Sequence, residues 1–151
     1  MKFSTRARYG LRAMVELAIN YNPNEPVPLS DIAEKQGISE GYLEQLMTFL
    51  RKGGLVRSVR GSQGGYILNR EPKDITAGDV VRCLEGPLAP TNCVAEEDSE
   101  ICERAGLCAT KDLWTRIRNA IARELDTTSL EDLRQEFQKL QESGQDYCYY
   151  I

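Results

Sequence analysis

Glycine placement between residues 29 and 69 limits the fold more than any other feature of this chain. Three glycine groups cut the stretch into pieces of fixed length. The spacing predicts a short helix over 29–36, with Ile32 and Ala33 inward and Gly37 just past its end, where a left-handed residue commonly stops a helix. Ser39 then stands as an N-cap. A further helix follows over 40–52, whose inward stripe Leu43, Leu46, Met47 and Leu50 repeats at i, i+3, i+4, i+7. Gly53 and Gly54 end it. Two short strands, 55–60 and 66–69, flank Gly61-Ser62-Gln63-Gly64-Gly65, and three glycines in five residues predict a hairpin tip with positive φ angles.

The flanking segments read as helices too. Residues 5–21 carry Leu11, Met14, Val15 and Ala18 on one face, and Pro23, Pro26 and Pro28 close that segment. Residues 77–84 present Val80, Val81 and Leu84, with Cys83 beside them as a small buried hydrophobe. Gly86-Pro87 breaks this helix, and an acidic loop with cysteines runs over 86–110. Residues 111–125 form a long helix with Trp114, Ile117, Ile121 and Leu125 on one stripe, and Ser129 caps a last helix over 130–140. The fold class is therefore mainly α, a winged helix-turn-helix with a short two-stranded wing. The expected units are 1–85 for DNA reading, 86–110 as a cysteine-bearing sensor loop, and 111–151 as a long helix, a second helix and a tail.

Charge supports a nucleic-acid partner once it is divided. The net charge of −4 conceals +3 over residues 1–82 and −7 over 83–151. Between 51 and 70, Arg51, Lys52, Arg57, Arg60 and Arg70 meet no acidic residue, and local density governs phosphate attraction more than net charge does. The major groove admits one helix, which reads base edges with its outward face. Opposite the Leu43 stripe that face offers Glu40, Tyr42, Glu44, Gln45, Thr48, Arg51 and Lys52. Gln45 suits adenine, Glu44 suits cytosine N4, and Arg51 and Lys52 suit phosphate. A glycine tip brings Arg60, Gly61 and Gly64 close to the duplex.

Several function classes are excluded. The chain has no histidine, so no histidine-based triad or dyad exists, and neither a Walker loop nor a dinucleotide fingerprint is present. An enzyme is not expected. No apolar run approaches a membrane span and Met1-Lys2-Phe3-Ser4-Thr5-Arg6 lacks the apolar core of a signal peptide, which predicts a cytoplasmic protein without a membrane partner.

Ile38 to Gly41, Tyr-Leu-Glu-Gln-Leu at 42–46, Leu-Arg-Lys-Gly-Gly-Leu-Val at 50–56, Arg60-Gly61, Gly64-Gly65-Tyr66, Ile-Thr-Ala-Gly-Asp-Val-Val at 75–81 and the opening 2–10 together resemble the Rrf-two family of bacterial transcription regulators, the group of IscR and CymR type. The resemblance covers nearly the whole chain. It implies a homodimer whose long dimerisation helix, here 111–125, crosses its partner on a pseudo-palindromic double-stranded DNA operator, as a repressor or activator. It also implies DNA contacts at Ser39, Tyr42, Glu44, Gln45 and Arg60.

Cys93, Cys102 and Cys108 are spaced Cys-x8-Cys-x5-Cys. On spacing alone they suit an iron–sulfur cluster with one position open, a zinc site of unusual spacing, or three unrelated thiols. The resemblance implies a cluster on these three cysteines, 2Fe-2S in kind, with 4Fe-4S open. Two positions depart from the family: Lys111 stands where a histidine ligand often follows the third cysteine, and Arg8 where other members offer a carboxylate. The fourth ligand is therefore unassigned among Asp98, Ser99, Glu100, Glu103 and an exogenous thiol. The alternative is a thiol- or partner-responsive regulator of cysteine and sulfur metabolism, CymR-like, without a cluster. The ending Asp-Tyr-Cys-Tyr-Tyr-Ile at 146–151 is similar to that of CymR-type members and suggests cysteine synthase as a partner docking Ile151, with Cys148 an exposed thiol.

Overall fold

Helix α1 (Thr5–Ile19) opens the computed structural model, which describes residues 1–97 and 100–144. Ser4 caps it, its hydroxyl accepting from the Ala7 amide at 3.1 Å. The helix stops two residues short of the expected end: the Asn20 amide still reaches the Glu16 carbonyl at 3.3 Å, but the Tyr21 amide closes on the Ala18 carbonyl at 3.3 Å, a tighter i to i+3 turn. Helices α2 (Leu29–Gln36) and α3 (Glu40–Lys52) have the predicted bounds. Gly37 between them sits at φ 65°, and the Ser39 hydroxyl accepts from the Tyr42 amide at 3.1 Å.

The wing is shorter than the sequence suggests. Strand β1 (Val56–Val59) pairs antiparallel with β2 (Gly65–Leu68), in register from Val56 opposite Leu68 to Val59 opposite Gly65. Tyr66 also exchanges two 2.9 Å backbone hydrogen bonds with Val27, so the inter-helix connection lines the wing's other edge. A Cβ on Gly65 would lie 2.1 Å from the Val27 carbonyl oxygen, so only glycine permits this pairing. Positive φ occurs at Gly61 and Gly65. Gly64 is required for another reason: a Cβ there would meet the Val59 carbonyl oxygen at 2.1 Å.

Helices α4 (Ala77–Glu85) and α6 (Leu130–Glu142) both begin in full capping boxes, Thr76 with Asp79 and Ser129 with Asp132. The two starts are joined. Ala77 donates to the Thr128 carbonyl and Leu130 to the Ile75 carbonyl, each at 2.8 Å. Leu130 is thereby fully buried, and α6 packs along α1. The core gathers Met14, Leu17, Ile32, Leu43, Leu46, Met47, Leu50, Ile75 and Val80. Helix α5 (Lys111–Thr127) differs: it runs two residues beyond the expected stripe and buries none of its residues. Short 3-10 turns at Asn92–Val94 and Ala105–Leu107 order the loop before it. Among the described residues no helix is long and apolar enough to cross a membrane.

Candidate nucleic-acid interface and cysteine loop

The burial of Leu43, Leu46, Met47 and Leu50 turns the opposite side of α3 outward. Ser39, Glu44, Gln45, Arg51 and Lys52 are exposed there. Tyr42 is half-buried, its ring edge-on to Tyr9 with centroids 6.2 Å apart. The Thr48 hydroxyl is turned back to the Glu44 carbonyl at 2.9 Å, which takes its donor away from an outside partner. Arg51 and Lys52 occupy the last turn, where cations also suit the helix dipole.

The five basic residues of 51–70 separate on folding. Arg57 donates to the Pro23 carbonyl at 2.9 Å, and Arg70 lies 3.9 Å from Asp79. Among the described residues no ion pair involves Arg51, Lys52 or Arg60. Arg60 and Gly61 are exposed at the wing tip, and Gly64 is half-buried where its amide closes the turn on the Gly61 carbonyl at 3.0 Å. Arg6 was not foreseen from sequence. Its guanidinium lies 5.1 Å from the centre of the exposed Phe49 ring, placing an α1 cation beside α3. Arg6 is one of four charged residues on α1, with Arg8, Arg12 and Glu16, and nothing in the sequence marks it as the one that faces α3.

The three loop cysteines are not brought together. Cys93 and Cys102 line one hollow with Glu100 and Lys111, whereas Cys108 faces Thr110, sulfur to hydroxyl 3.3 Å, at the start of α5. The Cys93 sulfur contacts the Thr91 hydroxyl at 3.1 Å. Among the described residues no three Cys, Asp or Glu side chains lie close enough to hold a metal ion, so the loop in this arrangement does not fit the expected cluster. Asp98 and Ser99 lie outside the described residues, as does the tail with Cys148 and Ile151. Cys102 and Cys108 are exposed. The Thr110 hydroxyl and the backbone amides of Thr110 and Lys111 hold the Cys108 thiol below its ordinary pKa.

The loop is tied to the rest of the fold through Arg82 on α4. Its guanidinium bridges Glu96 at 2.7 and 3.0 Å and Asp126 of α5 at 2.5 and 3.1 Å. Hydrogen bonds from Arg82 hold the Glu96 carboxyl below the usual carboxylate range, against the opposing effect of burial. Arg118 of α5 donates to the Val94 carbonyl at 2.9 Å. Next along the chain, the Cys83 thiol donates to the Phe49 carbonyl of α3 at 3.2 Å, and burial pushes its pKa up. A continuous line of contacts therefore runs from the cysteine loop through α4 to the outward-reading helix.

Comparison with known proteins places these features in context. The Rrf2 family model, described as an iron-dependent transcriptional regulator, matches residues 3–136. The HTH-type transcriptional regulator CymR of Bacillus subtilis is 45% identical over 151 residues, the full length of both chains. The structure of CymR (YrzC), the global cysteine regulator of B. subtilis, superposes with a TM-score of 0.77 at 46% identity, over 90% of this chain and 98% of that one. T. potens IscR superposes with a TM-score of 0.76 at 43% identity, over 99% of this chain and 97% of that one.

Proposed function

The chain belongs to the Rrf2 family of transcriptional regulators, and from that premise we propose that it binds a pseudo-palindromic operator as a homodimer and controls genes of cysteine and sulfur metabolism through thiol chemistry in its loop. Full-length similarity to a regulator described as the global cysteine regulator carries this reading. The activated, exposed Cys108 thiol supports it. A peroxide-class oxidant transfers one oxygen to the Cys108 thiolate, giving a sulfenic acid and water or an alcohol. A second loop thiol, Cys93 or Cys102, then displaces water to form a disulfide. Closing that disulfide draws on the segment held by Glu96 and Val94, and so loads Arg82 and Arg118.

The DNA contacts proposed are Ser39, Tyr42, Glu44, Gln45, Arg51 and Lys52 on α3 and Arg60, Gly61 and Gly64 on the wing. Homodimerisation is supported by α5, whose stripe Leu113, Trp114, Ile117, Ile121 and Leu125 is nowhere buried, and by Ile101 and Leu107, 99% and 98% exposed beside Cys102 and Cys108. Mobility-shift assays on operator DNA test the reading. Peroxide is expected to weaken binding reversibly in metal-free protein, and Cys108→Ser to abolish the response. Arg60→Ala is expected to lower the salt slope of binding by about one per protomer. Insensitivity of the metal-free protein to peroxide defeats the thiol mechanism, while a flat salt response defeats the DNA face.

A bound iron–sulfur cluster is the second reading, favoured by three cysteines in one loop and by similarity to T. potens IscR across nearly the whole chain. It requires Cys108 to leave Thr110 for the hollow of Cys93 and Cys102. Anaerobically isolated protein that is coloured, and colourless as Cys102→Ala, decides for it. Cysteine synthase is the partner proposed for Ile151, and unchanged binding after deletion of Tyr150 and Ile151 removes that proposal.

A further inference from the structure

A groove of about 780 Å³ runs between α1 and α6 with the end of α2 at its side, and its lining includes none of the proposed DNA contacts and none of the loop cysteines. Leu11, Val15 and Ile19 line it from α1, and Leu133, Phe137 and Leu140 from α6. Leu140 is 54% exposed, a large apolar side chain open to water at the groove's edge. Arg12 and Lys35 stand on the rim. Lys35 is matched by Glu16 at 2.7 Å, but Arg12 is held by the neutral Gln36 side-chain oxygen at 2.8 Å.

We propose that this groove seats the chain's own segment 145–151, Gln-Asp-Tyr-Cys-Tyr-Tyr-Ile. Position supports this occupant: Gln141 of the last α6 turn lines the groove, and Gly144, at φ 68°, turns the backbone just past the helix end. Reach is ample. The α1 wall from Leu11 to Ile19 is about 12 Å long at the helical rise, and seven extended residues span about 23–25 Å. The chemistry matches, since three tyrosines and an isoleucine meet a wall of leucine, isoleucine, valine and phenylalanine, while Asp146 suits Arg12, which forms no ion pair among the described residues. The proposal does not rest on which signal the cysteine loop answers. Seated there, the segment is withheld from outside proteins, so groove and partner compete for the same residues.

Alkylation of Cys148 by iodoacetamide, followed by peptide mass mapping of the intact reduced chain, tests this. The reference is a synthetic peptide of residues 141–151. Cys148 is expected to react about tenfold more slowly in the protein, and Leu140→Glu to restore the peptide rate. Equal rates in protein and peptide overturn the proposal. So does a Leu140→Glu protein that loses its dimer while Cys148 stays protected, because the groove then belongs to a second copy. Should Leu140→Glu unfold the chain, Tyr150→Asp leaves the groove intact: a rise to the peptide rate supports the proposal, and no change overturns it.

Discussion

Cys108 differs from an ordinary surface thiol through the donors around it. The Thr110 hydroxyl and two backbone amides stabilise its thiolate. Its alkylation should therefore reach half-maximal rate at a lower pH than that of an unhindered thiol, measured by labelling and mass mapping across a pH series, whereas Cys83, desolvated under α3, should titrate higher. Gly65 makes a different claim. Gly65→Ala forces a methyl into the Val27 carbonyl and is expected to cost about 1–3 kcal/mol in chemical denaturation. At this scale the sequence was legible wherever the cause was local. The caps at Ser39 and Gly37 and the Leu43 stripe follow from neighbours within a turn or two. The Arg82 pairs and the Cys83 bond to Phe49 join residues 14, 44 and 34 apart, and nothing in a linear pattern announces them.

Among the elements, α4 carries the connections, and its clamp on the loop depends on charge. Glu96 is stabilised as a carboxylate in the fold, so its contribution is complete above its ordinary pKa of 4.5 and is lost as pH falls through the lower folded value. Glu96→Gln is expected to destabilise the protein by about 1–2 kcal/mol at neutral pH, with the difference shrinking below pH ~4.5. Denaturation curves of both proteins at pH 7 and pH 3.5 check this. A constant difference would mean that shape rather than charge holds the loop. The loop's own short turns explain why its cysteines are hard to place from sequence. Their spacing says which thiols share a segment, but the 3-10 turns at Asn92–Val94 and Ala105–Leu107 decide where each one faces.

For the molecule as a whole, α5 sets the terms. A 17-residue helix with no buried residue gains little from its own chain, since helical stability rests mostly on tertiary packing. The melting temperature is therefore expected to rise with protein concentration, as mass action requires for a fold completed by association. Calorimetry over a hundredfold dilution checks it, and a constant value would show that α5 is stable unpaired. The paired starts of α4 and α6 have a further consequence. Ile75–Ala77 and Thr128–Leu130 are stitched by two 2.8 Å bonds, so the segment that begins with α4 returns to the place it started from. Helix α4 stays in the core through Val80 and Leu84, and the loop and α5 beyond it form a cassette closed at its base. Its loop can be rebuilt for another signal without redrawing the body it plugs into, and one scaffold can in that way come to serve regulators that answer to different chemistry.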